Sequence, residues 1–402
     1  MIPFEDMRSQ VLERVSMGAT LMVPLREACG RVAVQDVTAE HGFPLFDNSA
    51  MDGFAVRHRD LSDLPVDLRV VGVSSAGHPC SAAVGPGEAA RILTGAVMVD
   101  GADTVIPVED TELVATGDGL DESVRILDDA PRGAHIRRAY EAIRPGTVVV
   151  PAGTLLNPGH LGIVASLGIA EIGTVARPSV AVLSTGDELR EAGSGELEPG
   201  QIYESNVVVL RSLLEGLGCE VRVLHCEDNI DSLAELLSVL GSECDLIIST
   251  GGVSMGGEFD SLRHAAGRFD VETVQVAMKP AKPLAFGKVG RATMFGLPGN
   301  PASVLISFES FVRPAIRKMT GIEPNVPPTF TGRLSEALTR ADDGKAHFVP
   351  LRRAPDNSWE RTGVLASHAI STLADAEAMT MIPPGVLRVE AGTEVELIPL
   401  WA

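Results

Sequence analysis

Three separated segments of this chain combine glycine with hydroxyl, amide and carboxylate side chains: Ser184-Thr185-Gly186-Asp187-Glu188-Leu189, Thr250-Gly251-Gly252-Val253-Ser254-Met255-Gly256 and Leu297-Pro298-Gly299-Asn300-Pro301-Ala302-Ser303. Glycines let backbone N–H groups come close to a phosphate, and the Ser, Thr and Asn side chains add donors. The chemistry this pattern suits is the holding of an oxyanion-rich ligand. Four acids stand out beside it: Asp52, Glu188, Asp228 and Asp260. The last three fall at or just beyond predicted strand ends, where Mg²⁺ is commonly held by one or two carboxylates plus substrate phosphates. For Asp260, capping of the next helix is an equally good reading.

Lysine use sharpens the picture. Only five of the 33 basic residues are lysines, and Lys279, Lys282 and Lys288 fall within ten positions. A compact, mobile ammonium suits a small multi-oxygen anion. In Lys279-Pro280-Ala281-Lys282-Pro283 the prolines deny the segment a helix, so it is expected to run extended and to aim Lys279 and Lys282 from a stiff backbone. Pro298-Gly299-Asn300-Pro301 opens a helix whose N-terminus carries free N–H groups and a partial positive charge. Thr94-Gly95-Ala96 is readable as a further anion contact or as a plain turn.

These residues must be positioned by short buried strands. Runs such as 180–184, 245–249 and 292–296, stopped by glycine or polar residues, alternate with helices expected at 204–217, 231–240, near 259–267 and from 302 to about 319. With strands at 219–225, 271–276 and 284–287, that alternation is the signature of βαβ units and a parallel sheet. In such a sheet, ligands bind beyond the carboxyl ends of the strands. We expect an α/β domain over 177–325, a small mainly β domain over 46–139, a connector and dimerisation domain from 1–45 with 140–176, and a C-terminal β domain over 326–402. Apolar Phe4, Met7, Val11, Leu12 and Val15 predict an amphipathic helix ending near Gly18, and a short helix at 159–167 is a candidate partner for it.

Composition excludes several classes. A net charge of −21 opposes non-specific nucleic-acid binding. Mean hydropathy is +0.17, and no stretch approaches the roughly 20 apolar residues of a membrane span. The N-terminus is acidic and lacks an export signal, so the expected location is cytoplasmic. Five cysteines without CxxC spacing argue against a disulfide framework or zinc knuckle and are expected to be mostly buried. Neither a P-loop nor a Gly-x-Ser-x-Gly elbow occurs at these loops.

Taken together, Asp47 to Ala55, Ser184 to Leu189, Gly251-Gly252-Val253-Ser254, Met278 to Gly287 and Leu297 to Pro301 closely resemble the molybdopterin molybdenumtransferase family, the MoeA type related to the gephyrin E domain. The resemblance implies a multidomain α/β plus β fold with a three-layer domain similar to MoaB and Mog. It implies insertion of molybdate into adenylylated molybdopterin, a Mg²⁺-assisted step giving molybdenum cofactor and AMP. It places catalytic roles on Asp52, Glu188, Asp228, Asp260, Lys279 and Lys282, with Glu188, Asp228 and Asp260 as metal ligands. Substrate contacts fall on Thr94, Ser184, Thr185, Gly186, Asp187, Gly251, Gly252, Ser254, Pro298, Gly299, Asn300, Pro301 and Ser303. It also implies a homodimer, with the adenylyltransferase and molybdoenzyme chaperones as candidate partners, and neither nucleic acid nor membrane.

The chain departs from the family pattern in places. Tyr140 stands where a turn glycine is usual and Ala142 where an acid is, Phe259 precedes Asp260 at the position of the usual acid, Ala366-Ser367-His368 replaces Gly-Ser-His, and Pro350 replaces an arginine. Two other readings stay open from sequence: a molybdopterin adenylyltransferase acting one step earlier, and a non-catalytic molybdopterin-binding scaffold.

Overall fold

A computed structural model describes residues 1–115, 122–253, 261–363 and 370–401. Its centre is a six-stranded sheet in the order Glu220–Cys226, Ser179–Thr185, Leu246–Thr250, Ala292–Leu297, Pro283–Val289, Asp270–Gln275. The first four strands run parallel. The expectation of a wholly parallel sheet is corrected at the other edge, where Pro283–Val289 and then Asp270–Gln275 pair antiparallel. Their short connections, unlike the helical crossovers, allow the chain to reverse.

Alternation along the central strand explains the layering. Val180 and Val182 face one core with the helix Asn206–Gly216 and the long helix that begins at Pro301, while Ala181 and Leu183 face another with helices Ile230–Glu243 and Ser261–Ala266. The sheet is therefore buried on both faces, as a three-layer domain requires. The long helix runs from Pro301 to Met319 through a π-helical turn at Phe308–Val312, where buried Glu309 pairs with Arg313.

The N-terminal helix is shorter than its apolar spacing suggests: it spans Phe4–Arg14, Val15 is extended, and Thr20–Pro24 is a strand paired with Glu171–Val175. Its apolar face packs on the α/β domain rather than on the 158–166 helix, which belongs to a separate connector core with Val23, Ala33, Val150 and Ile172. Phe4 meets Phe311 and Phe348 at ring-centroid distances of 5.7 and 5.0 Å, joining the N-terminal helix, the α/β domain and the C-terminal domain in one core.

The small β domain is a six-stranded sheet built from segments between Gly53 and Ile126. Gly53 is obligatory there, because a Cβ would lie 1.9 Å from the Ile106 carbonyl oxygen. The C-terminal domain is a second β unit whose edge strand is borrowed: Met278–Lys279 pairs parallel with Ala346–His347. Cys219 and Cys244 are buried as expected, but Cys29 is exposed and Cys80 and Cys226 are half-buried. Burial pushes the Cys219 thiol up to about 12. No described helix is long and apolar enough to cross a membrane.

Candidate functional site

The carboxyl ends of the four parallel strands lie side by side, and each opens into one of the predicted loops. Asp228 follows the edge strand, Ser184 to Glu188 the next, Gly251 and Gly252 the third, and Pro298 to Pro301 the fourth. Gly186, Gly251 and Gly252 have φ of 142°, 85° and 64°, backbone that a side chain rarely adopts. The loops touch: a Cβ on Gly251 would sit 3.5 Å from the Thr185 carbonyl oxygen, and one on Gly299 would sit 3.6 Å from the Gly251 Cα. Glu188 folds back over Gly186, where a Cβ would meet its Oε2 at 2.6 Å.

A polar clasp fixes this arrangement. The Ser184 hydroxyl donates to Glu204 Oε2 at 2.7 Å, and Glu204 Oε1 accepts the backbone N–H groups of Asn206 and Val207 at 2.7 and 3.3 Å. Asn206 Nδ2 then donates to Thr250 Oγ1 at 2.8 Å and to the Gly299 carbonyl at 2.7 Å. Two side chains, Glu204 and Asn206, thus tie all three glycine loops to the start of one helix. Buried side-chain networks of this kind are costly to leave half-made, which holds the loops in register. Sequence reading missed Glu204 and Asn206, because polar residues at a predicted helix start read as ordinary caps. It also missed His225, whose Nδ1 lies 3.5 Å from Ser184 Oγ. Ser184, Glu204, Val207, Arg211 and His225 share a cleft of about 930 Å³ beside the loops.

Three acids crowd the first loop. Burial, followed by the charges of Asp187 and Glu188, pushes the Asp228 carboxyl above its ordinary range, opposed by a hydrogen bond from the Asp187 backbone N–H and by His225. Repulsion among hard oxygen donors is the environment a divalent cation relieves. Among the described residues no group of three or more metal-binding side chains forms. The donor set fits Mg²⁺ nonetheless, since that ion usually takes one or two carboxylates and completes its shell with water and phosphate oxygens. Asp260 and Ser254 lie outside the described residues, as do Phe259 and Ala366 to His368.

The lysines separate. Lys279 and Lys282 are exposed. The segment does not run extended throughout: Ala281 has φ 75°, and the chain turns so that the Val276 N–H donates to the Lys282 carbonyl at 2.8 Å. Lys288 does not join them. It lies near the far end of its antiparallel strand, with Nζ donating to Thr293 Oγ1 at 2.9 Å, at the opposite edge of the sheet from the loops. Sequence proximity misled because an antiparallel strand carries its two ends to opposite edges. Pro350 lines a small cleft with Pro280 and Ala302. Ser303 is buried in the first turn of the long helix, and Asn300 holds its N-cap position.

Asp52 and Thr94 form a local unit in the small β domain. The Thr94 N–H and hydroxyl both donate to Asp52 Oδ1, at 2.7 and 2.6 Å, and these bonds hold the Asp52 carboxyl below its usual range. Among the described residues, the strands and helices of this domain do not pack substantially on those of the α/β domain. Next to it, Asp47 accepts from Arg138 Nη1 and the Ala139 N–H, both at 2.7 Å. Tyr140 adopts φ 64°, a glycine-type conformation, and its ring covers Gly42, where a Cβ would lie 2.4 Å from Cδ1.

Glycine loops and acids gathered at the carboxyl edge of a three-layer sheet, together with two β domains and a connector, define a multidomain α/β plus β protein. Family models match in the same order: the MoeA N-terminal region (domain I and II) over residues 2–168, a probable molybdopterin binding domain over 181–318, and the MoeA C-terminal region (domain IV) over 331–400. The chain is 38% identical over 402 residues to molybdopterin molybdenumtransferase 2 of Mycobacterium tuberculosis, covering 96% of each chain. It is 35% identical to molybdopterin molybdenumtransferase of Haemophilus influenzae, covering 99% of this chain and 98% of that one. A crystal structure of the molybdopterin biosynthesis moeA protein from Pyrococcus horikoshii superposes with a TM-score of 0.81 at 29% identity, covering 99% of both chains. The chain belongs to the molybdopterin molybdenumtransferase family.

Proposed function

We propose that this protein inserts molybdenum from molybdate into adenylylated molybdopterin, releasing molybdenum cofactor and AMP. The observation that carries this reading is the clasped set of three glycine loops beside the Asp187, Glu188 and Asp228 carboxylates, in a chain whose curated relatives bear the transferase name over nearly its whole length.

The Gly251 N–H is taken by the Leu297 carbonyl at 3.1 Å and the Asp187 N–H by Asp228, so the phosphates would meet the remaining donors of the loops after Thr185, Thr250 and Leu297, with Ser184 and Thr250 held in place by Glu204 and Asn206. Lys279 and Lys282 present exposed charges to the molybdate substrate and to the phosphate oxygens. Asp228 and Glu188, with Asp260 as the resemblance implies, would hold Mg²⁺, which supplies charge neutralisation at the phosphoanhydride when bound. Attack of water on that anhydride gives AMP and the molybdopterin phosphate, and the two dithiolene sulfurs replace two oxygens of molybdate, which leave as water after protonation while molybdenum stays in the +6 state. Placing fixed donors and charges where negative charge develops is the main means by which such a site lowers its barrier.

Asp52 and Thr94 reach this site from a partner subunit in our reading, which makes the active form a homodimer with two composite sites. Support comes from the separation of the two domains within one chain and from the exposed apolar residues Leu21, Met22, Val148 and Leu155 on the connector. Action in the cytoplasm agrees with five cysteines that are all free.

Incubation with adenylylated molybdopterin, molybdate and Mg²⁺ tests the reaction: AMP should appear only when the oxyanion is present. Mixing inactive Asp52→Ala with inactive Lys279→Ala chains tests the composite site. Random exchange should restore roughly a quarter of wild-type sites. No recovery despite proven exchange would place each site within one chain.

A further inference from the structure

The edge of the sheet opposite the glycine loops holds a second recess, of about 230 Å³. Its walls are the two crossings between connector and α/β domain, residues 15–19 and 176–178, closed by Met319. Arg177 and Arg291 stand exposed at its rim, and half-buried Lys288 contributes to its lining. The chain carries −21 overall, so a recess with three cations is an exception to its surface.

The one acid of the lining is already committed. Asp245 accepts the Ser179 N–H and hydroxyl at 2.9 and 2.8 Å, and Arg291 Nη1 approaches it at 3.5 Å. Arg291 Nε and Nη2 are taken by the carbonyls of Ser242 and Glu243 at 3.1 and 2.7 Å. Lys288, by contrast, spends one of its three N–H groups, on Thr293. Among the described residues Arg177 has no hydrogen-bond or ion-pair partner. One like charge acts on each: burial and then Arg14 depress the Lys288 pKa, and Arg177 repels Arg31, where Glu220 and Glu27 act in the opposite sense. Arg14 itself pairs with Asp270 at 2.6 Å. A half-buried ammonium facing other cations is unfavourable unless an anion offsets it. Drug-sized ligands need roughly 300–1,000 Å³, so this recess admits something smaller.

We propose that this recess binds a small divalent oxyanion of the phosphate class, bridging Arg177 and Lys288 and fastening the connector to the α/β domain. The bridge joins residues 111 positions apart in sequence, Lys288 in a strand of the sheet and Arg177 at the crossing that leads from the connector into Ser179–Thr185. An occupied recess therefore stabilises the orientation of the two units, because any ligand that binds only the folded arrangement favours it by mass action.

Calorimetric titration of the full chain with inorganic phosphate tests this independently of the proposed reaction. Arg177→Glu and Lys288→Gln should each weaken one class of phosphate site about tenfold or more. Lys279→Met with Lys282→Met, at the other edge, should leave that class intact. Phosphate should also raise the Tm of the wild type and of the Lys279/Lys282 variant, but not of Arg177→Glu. Arg177 is exposed, so its variant decides the matter even if Lys288→Gln fails to fold. Phosphate binding that is unchanged in both recess variants, or abolished entirely by the Lys279/Lys282 substitutions, would overturn the proposal.

Discussion

Asp52 and Asp228 are both exposed acids of the candidate site, yet their surroundings treat them in opposite ways. In the small β domain, two donors from Thr94 converge on one oxygen of Asp52 and hold its carboxyl down. In the α/β domain, partial burial and two acidic neighbours push Asp228 up against the single helping N–H of Asp187. A carboxylate satisfied by donors from a neighbouring loop is positioned and has little need of a cation. One crowded by like charges retains an unmet electrostatic demand. In our proposal the cation therefore belongs at the strand-end loops, while Asp52 is held in place by Thr94.

The largest effect is expected where that demand is met. Glu188→Gln should keep the fold and lower Mg²⁺-dependent AMP release by about 10²–10³, the usual cost of removing one positioned electrostatic group. Turnover near the wild-type rate would remove the acid cluster from the chemistry.

Next comes the clasp. Asn206→Ala leaves Thr250 and Gly299 without their common donor and should destabilise the chain by about 1–3 kcal/mol. Denaturant unfolding measures this, and a silent substitution would mean that the loops hold themselves.

The contrast in pKa gives opposite pH behaviour. Asp228 is raised in the folded state, so its contribution to stability is present below the unfolded pKa and is lost as pH rises through the folded value. Asp228→Asn should therefore gain stability relative to wild type above the carboxylate range in Mg²⁺-free buffer. Added Mg²⁺ should close that gap by stabilising the wild type. Thermal melts against pH, with and without Mg²⁺, read both arms, and a gap indifferent to Mg²⁺ would deny Asp228 a metal.

The smallest effect belongs to Asp52. Its folded pKa is depressed, so its contribution is present above the unfolded pKa and lost as pH falls through the folded one. Thr94→Val should return the Asp52 pKa toward its ordinary value in an NMR titration, with little change in global stability.

Much of this was legible in sequence because buried parallel strands are short apolar runs and their carboxyl ends are marked by glycine. The strands at Ser179–Thr185, Leu246–Thr250 and Ala292–Leu297 and the loops after them fell where the pattern placed them. Pairing direction was not legible: nothing in Pro283–Val289 itself says that it runs antiparallel, and so Lys288 was grouped with Lys279 and Lys282 although it lies at the other edge. The clasp was hidden for a related reason. Glu204 and Asn206 act across 20 and 93 positions, on Ser184 and Gly299, and local spacing carries no trace of such contacts. Tyr140 shows the reverse case, where the missing glycine flagged a left-handed position that the structure retains with a tyrosine.

In the proposed reaction the strand-end loops hold the phosphoanhydride, and its cleavage is coupled to molybdate. ³¹P NMR of adenylylated molybdopterin bound to the protein with Mg²⁺ tests it most directly. The diphosphate resonances should persist until molybdate is added and then give way to AMP, with Glu188→Gln retaining them under the same conditions. Loss of those resonances without molybdate, or at the wild-type rate in Glu188→Gln, would contradict the account.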